Sequence, residues 1–140
     1  MELEHCINFI VTRAQHTVHQ LFKAALAPYG VTPGQYGVLR CLWDEDGQTV
    51  RQIADRLYLD ASTMTGILDR MEQRGLILKQ TDPRDRRALQ ILLTPKGRDL
   101  QAPLEHAIDA ANEQVLQELV PAEVESLKKL LWDIGSIRSN

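Results

Sequence analysis

Three arginines crowd one polar stretch, Arg84, Arg86 and Arg87, with Asp85 among them. Guanidinium groups on a protruding loop suit a narrow, strongly negative groove, where phosphates on both sides concentrate the field. Asp85 weakens non-specific attraction, yet it can hold one guanidinium in a fixed direction by a forked pair. Upstream, Ser62, Thr63 and Thr65 are small hydroxyl residues with Arg70 one to two turns further on. Small hydroxyl side chains let a helix approach a major groove and bond bases or phosphates. The chemistry offered is polyanion recognition rather than turnover. No Gly-rich phosphate loop, Cys-x-x-Cys or acid pair with a clear site context is present, so an enzyme is not expected.

The charge distribution agrees. The 140 residues carry a net charge of −3, but Gln48–Arg98 holds ten Lys/Arg against six Asp/Glu, a net of +4, leaving −7 elsewhere. A basic middle between acidic flanks reads as one polyanion-binding module on a carrier scaffold. Apolar residues make up 44% and charged residues 25%, the balance of one globular domain. The longest uncharged run, Ala24–Leu39, holds two prolines and three glycines and cannot span a bilayer. The acidic N-terminus lacks an apolar signal core, so a cytoplasmic location is expected, and Cys6 and Cys41 are expected to be thiols with no zinc spacing.

The elements that must position these residues follow from periodicity. Leu3, Ile7, Ile10, Ala14, Val18, Leu21 and Ala25 recur at three- and four-residue steps, predicting one amphipathic helix to about Ala27, roughly 35 Å long. Thr32/Gln35 and Thr49/Gln52 predict capping boxes for two helices, and Pro33 fits a first helical position. Asp60 is the expected cap of a helix over Ala61–Arg74, which Gly75 ends. The period then changes: Leu76–Leu78 and Leu89–Leu93 predict two short strands around a polar hairpin loop, Thr81–Ala88. Thr94-Pro95 opens a helix expected to run to Leu119, bent near Pro103, and Pro121 opens a last one. The fold class expected is mainly α with a β-hairpin wing: a winged helix-turn-helix plus a helical region.

Leu57–Gly66, then Leu68–Leu76, resembles the recognition-helix region of MarR-family transcriptional regulators. Asp82–Arg87 followed by Leu93-Thr94-Pro95-Lys96-Gly97 resembles that family's wing and the start of its next helix. The resemblance covers nearly the whole chain. It implies a homodimeric double-stranded DNA-binding regulator, usually a repressor of pseudo-palindromic operators, with no cofactor. It implies a DNA-binding lobe over 32–93 and a dimerisation region over 1–30 and 95–140, with Leu3, Ile7, Leu127, Leu131 and Ile134 near the dimer core. By motif position Arg87 enters the minor groove, oriented by Asp85, while Arg84 and Arg86 meet nearby phosphates. Ser62, Thr63, Thr65 and Arg70 fall at recognition-helix positions. Gly66 departs from the pattern, since many members carry a basic residue there.

Relatives in that family commonly release DNA when a small aromatic or phenolic ligand binds between lobe and dimerisation helices. Candidate lining residues are Arg13, His16, His19, Tyr29, Tyr36 and Trp43. A redox alternative uses Cys6, because Leu57–Asp60 is similar to the organic-hydroperoxide-sensing branch, although that branch's sensor position falls at Asn8, about 200° around the helix. Zinc is a third option through His5, Cys6, His16, His19 and His106; no metal site is expected from it. A winged helix that binds only protein is the remaining rival. It predicts no salt-sensitive DNA affinity.

Overall fold

A computed structural model describes residues 1–137. The chain opens with a 3-10 turn, Leu3–His5, followed by α1 (Ile7–Leu26). The helix expected from Leu3 onward is interrupted because Cys6 is extended (φ −77°, ψ 121°) and serves as the N-cap of α1. Cys6 therefore precedes the helix instead of lying within it. A thiol is a poor acceptor, and no side-chain cap bond forms there. A second 3-10 turn, Ala27–Tyr29, ends in Gly30 and leads to α2 (Pro33–Asp44).

Both capping boxes form. Thr32 accepts from the Gln35 amide at 3.1 Å, and Thr49 accepts from the Gln52 amide at 3.2 Å at the start of α3 (Val50–Leu57). α3 stops at Tyr58, a left-handed residue (φ 56°), and Asp60 then caps α4 (Ala61–Gln73). Beyond α4, Gly75 (φ +72°) lets the Leu76 amide reach back to the Met71 carbonyl at 3.0 Å.

The wing is longer than its apolar pattern suggested. β1 (Ile77–Asp82) pairs antiparallel with β2 (Asp85–Leu93), from Ile77 opposite Leu93 to Thr81 opposite Leu89. The register then slips, so that Asp82 opposes Asp85 across a turn of only Pro83 and Arg84. Arg86, Arg87 and Ala88 consequently stand on β2 with no partners on β1. Such a bulge twists the strand and redirects its side chains. The loop expected over Thr81–Ala88 is thus a two-residue turn, Pro83-Arg84, followed by a bulge at Arg86–Ala88, and the ladder continues through polar residues whose Gln80 and Gln90 side chains bond at 2.8 Å.

The single helix expected after Thr94 is two: α5 (Pro95–Asp99) and α6 (Gln101–Leu116), separated at Leu100. Pro103 has no N–H for the Asp99 carbonyl and its ring crowds that oxygen, so the break falls just before it. α7 (Pro121–Gly135) completes the described chain.

The core lies where α2, α4, the hairpin and α6 meet, around Leu39, Leu42, Ile53, Met64, Leu68, Ile77, Ile91 and Leu104. Gly97 closes it from above: a Cβ there would collide with the Leu76 carbonyl oxygen. α7 buries no residue. Leu127, Leu130, Leu131, Trp132 and Ile134 are exposed on it, as are Leu3 and Ile7 at the other end of the chain.

Candidate nucleic-acid interface

α4 separates its residues cleanly. Met64, Leu68 and Met71 are buried, whereas Ser62, Thr63, Thr65, Gly66, Asp69 and Arg70 are exposed. At about 100° per residue, that exposed set spans less than half of the helix circumference. The face is polar, narrow in profile and headed by the helix N-terminus. Asp60 fixes that end by accepting from the Thr63 amide at 2.7 Å, which also holds its carboxyl below the usual carboxylate range. Thr65 donates to the Ala61 carbonyl at 2.9 Å and keeps its lone pairs outward. Gly66 has open space over it, so the middle of this face is flat.

The wing stands beside α4. Arg87 donates from Nε to Oδ1 of Asp85 at 3.1 Å and from its second arm to Oδ2 at 3.4 Å. The Arg87 amide also bonds Asp85 at 3.0 Å. These bonds hold the Asp85 carboxyl below its ordinary range, while the Arg87 side chain stays 91% exposed and so remains available to a partner. Asp82 shapes the tip by accepting from the Arg84 amide at 2.9 Å. Arg84 and Arg86 are exposed and carry no ion pair among the described residues. Between wing and helices runs an open groove of ≈ 820 Å³, which includes Thr65, Lys79, Asp85 and Arg87. Ser62, Thr63, Arg70, Arg84 and Arg86 lie outside that groove, on α4 and at the wing's edge.

Lys79, absent from the residues singled out by sequence, reaches from β1 to Asp69 and Glu72 of α4. Its alternation with buried Ile77 marks an inward-facing lysine. An ion cluster that local spacing does not reveal lies on α2, α3 and α6. Arg40 bonds Asp44 at 2.9 Å and Glu105 of α6, and Arg56 of α3 bonds the same Asp44 at 2.8 Å. Arg56 is the main reason the Asp44 carboxyl lies below its ordinary range.

The proposed effector residues are dispersed. Arg13 borders a hollow of ≈ 800 Å³ between α1 and the end of α6, together with Phe9, Val18 and Val115. Tyr36 and Trp43 lie on α2, edge to face at 6.0 Å, packed against the core. Burial raises the Tyr36 phenol, and Trp43 Nε1 donates to the Gly97 carbonyl at 3.0 Å. His16 and His19 are exposed on α1, and Tyr29 ends the 3-10 turn after it. His5, Cys6, His16, His19 and His106 form no metal-ligating cluster among the described residues. Cys6 is half-buried; Cys41 is buried, which pushes its thiol up.

The sequence profile of the MarR family matches residues 31–89. The HTH-type transcriptional regulator TtmR of Methylorubrum extorquens is 34% identical over 83% of this chain, which spans 61% of that relative's length. The organic hydroperoxide resistance transcriptional regulator of Bacillus subtilis is 35% identical over 78% of this chain and 72% of its own. Among solved structures, the transcriptional repressor CouR bound to a 23-mer DNA duplex superposes with a TM-score of 0.88 at 29% identity, covering 96% of this chain and 95% of that one. CouR from Rhodococcus jostii RHA1 has also been solved with p-coumaroyl-CoA, superposing at 0.84 with 28% identity over 100% of this chain and 99% of that one. The chain belongs to the MarR family of winged helix-turn-helix, DNA-binding transcriptional regulators, which are not enzymes.

Proposed function

We propose that this chain is a homodimeric, cytoplasmic repressor of pseudo-palindromic operators. α4 enters the major groove with Ser62, Thr63, Thr65 and Arg70 toward bases and phosphates. The wing lays Arg87 into the minor groove, with Arg84 and Arg86 on flanking phosphates. The observation that carries this reading is the forked Asp85–Arg87 pair on an exposed, bulged strand beside the polar face of α4. A pre-aimed guanidinium gives up less conformational freedom when it enters a groove. The domain division follows: residues 32–93 as the DNA-binding lobe, and residues 1–30 and 95–140 as the dimerisation region. The apolar residues left uncovered on α7 and near the N-terminus support a second copy as their cover.

The signal is a small aromatic or phenolic ligand that favours a spacing of the two lobes unsuited to DNA. The ligand-bound form of CouR supports a small-molecule effector, and Arg13 at the α1–α6 hollow is the cation placed to meet an acidic one. A thiol switch at Cys6 is the second reading, favoured by the similarity to the hydroperoxide-resistance regulator and by partial exposure of Cys6 at the start of α1. One titration separates them. Fluorescence anisotropy follows a labelled duplex taken from upstream of the protein's own coding sequence. Release by aromatic acids, with no response to organic hydroperoxide, supports the ligand reading. Loss with hydroperoxide that reductant restores, and that Cys6→Ser abolishes, supports the thiol.

A further inference from the structure

Asp69 is awkwardly placed for a DNA-reading helix. It lies on the same exposed arc of α4 as Ser62, Thr65 and Gly66, and its side chain is 52% exposed. Glu72 follows one turn later, 44% exposed. Two carboxylates among phosphates repel, and a protein surface at a groove screens them poorly. Lys79 answers both. Period-2 alternation puts it on the face of β1 that holds buried Ile77, opposite buried Ile91. Its stem is covered, leaving the side chain only 19% exposed, and its ammonium bonds Asp69 and stands 3.7 Å from Glu72. It also borders the groove that contains Thr65, Asp85 and Arg87.

We infer that Lys79 is a positioning residue for DNA binding: its single positive charge, shared between Asp69 and Glu72, offsets the acidic charge on the DNA-facing helix. Without it, Asp69 and Glu72 stand on the DNA-facing helix with no counter-charge beside them. With it, the three side chains beside the groove that contains Thr65 and Arg87 carry a net charge of −1 instead of −2. The lysine is spent on protein carboxylates, so it does not count among the phosphate contacts.

This rests on the DNA-binding reading, and the test distinguishes the two. Operator affinity is measured by anisotropy for the wild type, Lys79→Met, Asp69→Asn and the double variant, with thermal unfolding of each as a check on folding. Methionine keeps the covered stem and removes only the charge. Lys79→Met is expected to weaken binding about ten-fold, the scale of one misplaced charge at a phosphate surface. Asp69→Asn added to it is expected to restore affinity to within about three-fold of wild type, because the two substitutions together return the cluster to its wild-type net charge. A double variant as weak as Lys79→Met, with the wild type binding normally, overturns the inference and makes Lys79 a direct phosphate contact or a packing residue. A wild type that binds no operator takes down the DNA-binding reading, and the inference with it.

Discussion

Arg87 shows how one residue's chemistry depends on a neighbour two positions away. Asp85 takes the guanidinium by two of its oxygens and is itself held below the ordinary carboxylate range by that contact. A carboxyl whose folded pKa is depressed keeps its partner above the unfolded value of 3.8 and releases it only as pH falls through the lower folded value. The wing geometry is therefore expected to be constant from pH 5 to 8, and any pH dependence of operator affinity in that window arises elsewhere. Replacing Asp85 by Asn should weaken DNA binding while leaving thermal unfolding unchanged. An unfolding shift as large as the affinity loss would make Asp85 a structural residue only. That Asp85 could hold a neighbouring guanidinium was legible from the crowded charges, but Arg87 as the partner followed only from the resemblance to the family's wing motif. Lys79 was not legible, because its acids are ten and seven positions away and meet it only after the hairpin folds back on α4.

At the scale of elements, the signals that held are local ones. Thr32/Gln35, Thr49/Gln52, Asp60 and Thr94 each satisfy amides within three residues, so sequence spacing alone specifies them. Removing the cap by Asp60→Ala should cost about 1 kcal/mol, read from urea denaturation, and should loosen the end of α4 that would face DNA. Signals that failed are those settled by pairing or by a missing donor. The wing strands run past their apolar residues because backbone bonds extend them. The break at Leu100 reflects the N–H that Pro103 lacks, and Cys6 stays outside α1 because its backbone is extended. Gly97 could be read as a motif residue, but the reason for it is three-dimensional: its Cα abuts the Leu76 carbonyl at the junction of wing and α5. Gly97→Ala should destabilise the fold by about 1–3 kcal/mol, the usual cost of forced overpacking, with urea midpoints as the measure.

At the scale of the whole molecule, Arg40, Asp44, Arg56 and Glu105 bridge α2, α3 and α6. Asp44 is depressed chiefly by Arg56, so its contribution to stability is present above the unfolded value of 3.8 and lost as pH drops through the folded one. Asp44→Asn should therefore lower the urea midpoint at pH 6, with the gap to wild type closing in acid. In the proposed homodimer the exposed leucines of α7 meet the second copy, so Leu131→Glu should shift sedimentation from dimer toward monomer; an unchanged dimer would place the interface elsewhere. Amphipathic stripes on the first and last helices were visible in sequence, but which of their residues one chain leaves uncovered is a property of the folded arrangement. Of the six candidate effector residues only Arg13 borders the α1–α6 hollow, since a cavity wall gathers side chains from distant elements. The central claim is that α4 and the wing grip duplex DNA. Its most direct test is operator affinity of wild type against Arg87→Ala across a range of salt concentrations. The account predicts salt-sensitive binding that the substitution weakens by about 1–3 kcal/mol. Equal affinities for the two proteins, or binding indifferent to salt, would contradict it.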